Sequence, residues 1–309
     1  VTPWLVEAVV DDWGEVVPAG TPVTVVSEVP APPDPEHAAN HPIAYGVHTT
    51  DGRWAYAAAH AVAFPDEGPA APLVTGTVRW AGAEPWDHRD RVARTVALRG
   101  ASGLASGPVW TGDGMLGGPL LREAALRDVA PAPGPEVVVT LEVYTSEVGV
   151  TAERTVVLGA TPRGLEPWLD VEVGRWPSVG ELGVAHLRWG EGSVEVVHTE
   201  ARVWSECPAP RPDVPDSPVE RCLVRTVERW AWDGARFSLA GPPRVGPVPV
   251  SVDGRPGVVR AHRGAHWDDV VDELEVEGAD GRRRWLRADR VTVDDAELAA
   301  WAGARGPAR

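Results

Sequence analysis

Two stretches of the chain gather side chains able to bind a metal or move a proton. Asp34, Glu36, His37, His41 and His48 fall within "PDPEHAANHPIAYGVH", and His262, His266, Asp268 and Asp269 within "RAHRGAHWDD". Imidazole and carboxylate together are the donor set of a zinc site or a general acid–base pair. Histidines four residues apart share a metal when a helix projects both rings from one face. The first pair stands among prolines and the second follows a glycine in strand-like text, so solvated loop histidines are expected, with no metal and no cofactor. The carboxylate pairs Asp11-Asp12, Asp268-Asp269 and Asp294-Asp295 are neighbours in sequence. Neighbours on a strand point to opposite faces, which argues against a shared acid–base site. No Walker loop, "GxSxG" or dinucleotide fingerprint is found.

Cys207 and Cys222 are the only cysteines, at the two ends of a Pro-rich polar segment between Val-rich runs. Two unrelated buried thiols would satisfy the composition. A disulfide at the base of that loop fits the pattern better, and closing roughly 15 residues would contribute about 3 kcal/mol. A zinc knuckle needs closer spacing and a histidine in the loop. A single bonded pair in a chain otherwise poor in cysteine points to an extracytoplasmic protein, periplasmic or secreted.

The elements that must carry these residues read as strands. Gly (33) and Pro (31) are spread throughout the 309 residues and separate short Val-rich runs, which is the pattern of all-β architecture. Val137, Val139, Leu141 and Val143 alternate with Val138, Thr140, Glu142 and Tyr144 at strand period. "WAWDGARFSL" reads as a hairpin with a type I′ turn at Asp233-Gly234. Leu121, Ala125 and Val129 are spaced as in a helix, so 120–129 is expected to be helical, with Pro131 as its stop. Asp294 and Glu297 open a second, short helix near the C-terminus. Three units follow: 1–67, a small β unit; 72–243, a larger antiparallel sandwich or meander; and 244–309, a small β unit ending in that helix.

The net charge is −16 and the pI near 5.0. The most basic stretch, "GRRRWLR", is flanked by acidic residues, so nucleic acid is not an expected partner. No apolar run approaches the roughly 20 residues of a membrane helix. Trp (15) exceeds Tyr (3) and Phe (2), every one of the 29 basic residues is Arg, and Asn40 and Ile43 stand alone of their kinds. GC-rich codons account for all of this together, as in a high-GC bacterium, and better than sugar-stacking platforms do.

"DGRWAYAAAHAVAF" (51–64) lies over "DGRRRWLRADRVTV" (280–293) without a gap. Asp-Gly-Arg opens each, Tyr56 matches Trp285, and Val62 matches Val291. Four or five short strands in about 60 residues, with Asp-Gly corners and an aromatic after the last of them, resemble the bacterial SH3-like barrel at both ends of the chain. Neither copy ends in that family's common "GWV" strand. The resemblance implies a non-catalytic role in binding or targeting, on a cell-wall polymer or a protein partner. Tyr56 and Trp285, with Arg284 and Arg287 beside the latter, are the candidate binding residues. The two aromatics are expected at equivalent core positions, with Arg53 and Arg282 in solvent.

Two segments bear a further resemblance, to the trypsin-like proteases. "AYAAAHAVAF" is similar to the strand end that holds the catalytic histidine of those proteases, and "TGDGMLGGPLL" to their nucleophile loop. His60 would be the base. Met115 and Leu116 stand where a hydroxyl is required, and about 55 residues leave no room for the intervening barrel. A hydrolase whose site is assembled from scattered residues is the alternative to a binding protein.

Overall fold

A computed structural model describes residues 2–30, 42–66, 73–80, 91–100, 103–111, 119–145, 150–176, 183–208, 211, 220–263, 273–287 and 290–293. These are almost wholly β. Strands joined by turns, with 3₁₀ turns at Ala59–Ala61 and Trp204–Glu206, account for most of the described residues, and no helix among them is long and apolar enough to cross a membrane. The expected C-terminal helix, the His37–His41 pair, His266 with Asp268 and Asp269, and Met115–Leu116 lie outside the described residues. The chain divides into two compact units, Val1–Val171 with Gly234–Arg236, and Glu172–Asp233 with Phe237–Arg309, so the unit boundary falls inside the 72–243 stretch.

In the first unit, Trp4–Leu5, Val62–Pro65, Leu73–Trp80, Arg91–Gly100 and Gly103–Ser106 form one sheet in that order, and Trp110–Thr111 also pairs with Arg91–Gly100. Val23–Pro30, Pro42–Thr49 and Trp54–Ala58 form a meander, and Val9–Val10 pairs with Val16–Val17 as a separate hairpin. A four-stranded sheet runs Leu120–Arg127, Glu136–Thr145, Val150–Thr161, Gly164–Trp176. The alternation read in its second strand is real: Val137, Val139 and Leu141 are fully buried on one face.

The helix expected at 120–129 is instead the strand Leu120–Arg127. Its ladder with Glu136–Thr145 runs Leu121 opposite Leu141, then Ala124 opposite Val139 and Leu126 opposite Val137, with a bulge at Arg122. One inserted residue moves the inward positions from 121 and 123 to 121 and 124, a spacing that imitates a helical stripe. Arg122 pairs with Glu142 across the strands.

In the second unit, the described strands from Gly183 onward form one ten-stranded sheet. Gly183–Gly190, Ser193–Arg202, Glu220–Trp232, Arg255–Arg263, Val248–Val252 and Thr292–Val293 follow one another across it. Glu273–Gly278 lies on Arg255–Arg263, and Arg283–Arg287 lies on Glu273–Gly278. The 230–239 hairpin exists, but Trp232 pairs with Phe237, so its loop is the four residues 233–236 rather than a two-residue turn. The two-residue turn is at Asp253-Gly254, where both residues have positive φ (50° and 74°) and Val252 pairs with Arg255. Cys207 and Cys222 are bonded, and no cysteine is free. Cys222 lies on strand Glu220–Trp232, whereas Cys207 follows the 3₁₀ turn Trp204–Glu206.

The matching segments at the two ends have one backbone plan. Gly52 (φ 90°) donates its N–H to Thr49 O at 3.1 Å, and Thr49 N–H donates to Arg53 O at 2.9 Å. Gly281 (φ 74°) donates to Gly278 O at 2.9 Å, and Gly278 N–H to Arg282 O at 3.0 Å. Only glycine takes this conformation without steric cost, so the Asp-Gly pair marks the corner in both. Beyond the turn the register agrees pair for pair: Tyr45 opposite Ala57 and Gly46 opposite Tyr56 match Leu274 opposite Leu286 and Glu275 opposite Trp285. The identity extends to the preceding ladder, which carries its bulge at the same place, between Val25 and Ser27 in one and between Val259 and Ala261 in the other. Each plan closes partly on itself, through Trp4–Leu5 on Val62–Pro65 and through Val248–Val252 on Thr292–Val293.

Candidate functional site

Register sorts the side chains of the last long strand, Arg283–Arg287. Arg284 and Leu286 stand across from Val276 and Leu274, whose side chains are buried in the core with Val248, Val250, Val259 and Val291. Trp285 pairs with Glu275 and points to the other face. The four candidate binding residues are therefore not one site. Tyr56 belongs to the first unit, Arg284 to the inner face of the second, and Trp285 and Arg287 to that strand's outer face.

The aromatics are equivalent in register but do not sit in the core as expected. Tyr56 is 62 % exposed and meets Trp54 edge-on, with ring centroids 6.0 Å apart. Trp285 is half-buried, packs beside Trp204 and the disulfide, and carries the Arg263 guanidinium 4.4 Å from its ring centre. The buried side chains at these strands are instead Ala55 and Ala57 in the first copy, while Val62 and Val291 are buried in both as expected. Arg282 is 76 % exposed, whereas Arg53 is 28 % exposed and engaged with the hairpin.

The inner face of the second copy opens as a groove of about 790 Å³. Val252, Val276 and Leu286 supply its apolar part, and Arg255, Arg282, Arg284 and Arg290 its charge, with Asp253 and Asp280 at the turns. Most nearby arginines are neutralised. Arg260 and Arg283 share Glu277 at 3.2 and 3.0 Å, and Arg263 pairs with Glu273. The hydrogen bond from Arg260, helped by that from Arg283, holds the Glu277 carboxyl below the ordinary carboxylate range. Arg282 reaches Asp280 at 3.8 Å. Arg255, Arg284 and Arg290 have no ion-pair partner among the described residues. The acidic flanks read in the sequence thus offset the outer face of this strand and leave the inner one positive. An alternating strand separates the two sets, and a linear charge count cannot.

A second, smaller pocket of about 230 Å³ lies beside the disulfide, bordered by Trp204, Cys207, Cys222, Val245, Arg260 and Arg283. Arg211 stacks over Trp204 at 4.9 Å and reaches the buried carboxylate of Glu275 at 3.2 Å, so its charge is already used. His262 is buried, and desolvation, with Arg221 nearby, lowers its pKa to about 4, so the ring is neutral at pH 7. His60 lies in the 3₁₀ turn Ala59–Ala61 with Glu7 3.6 Å away. No group of three or more His, Cys, Asp or Glu side chains able to hold a metal occurs among the described residues.

The sequence reading picked out Arg284 and missed Arg255, Arg290, Val252 and Leu286. The available signal was period-2 alternation through "RRRWLR", which puts Arg282, Arg284 and Leu286 on one face. Arg255 and Arg290 arrive from other elements. No protein-family model matches this chain, and neither a curated protein nor a solved structure is significantly similar to it.

Proposed function

We propose that this is a non-catalytic, extracytoplasmic binding protein whose terminal units are SH3-like barrels, and that its second unit holds an anionic partner in the Arg-lined groove. The partner is a protein or a cell-envelope polymer bearing carboxylate or phosphate groups. One observation carries the reading. In a chain of net charge −16, Arg255, Arg284 and Arg290 line one partly apolar groove with no ion-pair partner among the described residues. Guanidinium groups beside apolar surface bind carboxylates and phosphates bidentately, and removal from bulk water strengthens the contact. The Cys207–Cys222 bond supports an oxidising location.

The test is titration of the full chain with poly-L-glutamate and, separately, with an anionic wall polymer, followed by calorimetry at low and high salt. Salt-sensitive binding of either, reduced at least tenfold by Arg284→Glu with Arg290→Glu, is expected. Absence of binding to both, or binding indifferent to the double substitution, would overturn the reading.

A further inference from the structure

The two copies of the meander differ at one place. In the first, residues 7–19 are inserted between the opening strand and the meander, and they fold back as the Val9–Val10/Val16–Val17 hairpin. This hairpin lies along the free edge of strand Trp54–Ala58. Asp12 N–H donates to Trp54 O at 3.0 Å, and Asp11 stands in antiparallel register with Ala55. Arg53 clamps it, with Nη1 3.9 Å from the Asp11 carboxylate and 3.5 Å from Val16 O. In the second copy, Val252 turns directly into Arg255 through Asp253-Gly254, and no such hairpin is present.

Among the described residues, no segment takes the place of this hairpin in the second copy. Arg283–Arg287 pairs with Glu273–Gly278, and no second strand pairs with it among the described residues. Because Arg282 O accepts from Gly278 N–H, the backbone groups of Arg283 and Trp285 face the strand's outer edge. Arg283 holds the register of Trp54, and Arg284 that of Ala55. Arg282 holds that of the clamp Arg53. Arg282 reaches the turn residue Asp280 as Arg53 reaches Asp51, and Arg284 stands at the position that faces Asp11 in the first copy.

We propose that strand Arg283–Arg287 takes up an extended acidic peptide segment of a protein partner, added as an antiparallel strand with a carboxylate opposite Arg284. This rests on the anion-binding reading above and specifies its partner. The first copy provides an intramolecular precedent for the backbone part of the contact, in the acidic segment Val9-Val10-Asp11-Asp12, where Asp11 bridges to Ala55, Asp12 N–H bonds to Trp54 O, and the Asp11 carboxylate itself accepts from Trp13 N–H and Glu15 N–H. Backbone hydrogen bonds supply the general affinity of such strand addition, and side chains on alternate positions its selectivity. The ligand's carboxylate meets Arg284 as a cross-strand pair, with Arg255, Arg282 and Arg290 around it and Leu286 and Val276 beneath.

The probe is the chain's own sequence supplied in trans: a capped linear peptide of residues 7–14, EAVVDDWG, titrated into the full chain. Salt-sensitive binding is expected, together with slowed exchange of the Trp285 amide. N-methylation at the position of Asp12, whose N–H would reach Arg283 O, should weaken binding at least tenfold, while N-methylation at Asp11 should have a smaller effect. Arg284→Glu should weaken it by a similar factor, and a peptide with Arg in place of Asp11 should recover binding to that variant. Salt-sensitive binding indifferent to both methylations would overturn strand addition and leave the anion-binding reading standing, as would binding of poly-L-glutamate alone. Slow exchange of the Trp285 amide without peptide would assign the edge to the chain's own residues and overturn a partner in trans. Binding of neither peptide nor poly-L-glutamate would overturn both.

Discussion

The terminal meanders share strand register and bulge position, yet an inserted hairpin covers one, and among the described residues none covers the other. In the first, Leu5, Val17, Val23, Tyr45, Val47, Ala55 and Ala57 form a closed core, and the inserted hairpin contributes Val17. In the second, the equivalent face has Leu274 and Val276 at its floor, with Arg284 where Ala55 would be. Small residues on the inner face allow a covering hairpin to pack close. Arg284, at the matching position, instead lines the groove. The same backbone plan therefore encloses a packed core in both units, and what differs is the part of the inner face at Ala55 and Arg284, buried in the first copy and lining a groove in the second.

The largest expected effect that breaks the comparison is at its opening strands. Trp4, opposite Ala63, is fully buried, and Ser251, opposite Thr292, holds the same place in the second copy. Trp4→Ala should cost about 3–5 kcal/mol, while Ser251→Ala should stay within about 0.5 kcal/mol. Urea denaturation of each variant measures the difference. Comparable losses would show that the two copies are packed alike.

A pH dependence should separate the copies next. His262 holds the register of Glu28, which is exposed, but is itself buried and neutral with its pKa lowered to about 4. The unfolded chain gains a proton near the ordinary value of about 6.5 while the folded chain does not, so stability falls as the pH drops from about 6.5 toward 4. The loss should be on the order of 3 kcal/mol. Denaturation series at pH 7 and pH 4.5 should show it in probes of the second unit, and His262→Leu should flatten the dependence. Stability of the second unit independent of pH over that window would count against a buried neutral ring.

The outer aromatics sharpen the comparison with smaller effects. Trp285→Ala removes a half-buried ring and its Arg263 contact, which should cost about 1–2 kcal/mol. Tyr56→Ala, at a position largely in solvent, should stay within about 0.5 kcal/mol. Equal and large losses from both would return the aromatics to the core positions first expected for them. Thiol titration of denatured, unreduced protein should find no free thiol, and loss of the disulfide by Cys207→Ser with Cys222→Ser should cost about 2–4 kcal/mol.

Much of this was legible in the sequence because it is local. Alternating valines specify strand and face, and Asp-Gly corners specify turns through glycine's access to positive φ, as at Gly52, Gly254 and Gly281. The Asp-Gly-Arg match between the two ends foretold a register that the backbone shares. The disulfide followed from composition and spacing. Tertiary structure decided what depends on which surfaces meet. The bulge at Arg122 turned a helical spacing into a strand, because pairing with Glu136–Thr145 buries Leu121, Ala124 and Leu126 together. Likewise, "GRRRWLR" read as one basic run, but alternation sent Arg283 to Glu277 on one side and Arg284 to an open groove on the other. Charge along a chain is a one-dimensional quantity, whereas neutralisation depends on which carboxylates the neighbouring strands bring within reach. Only the fold supplies those neighbours.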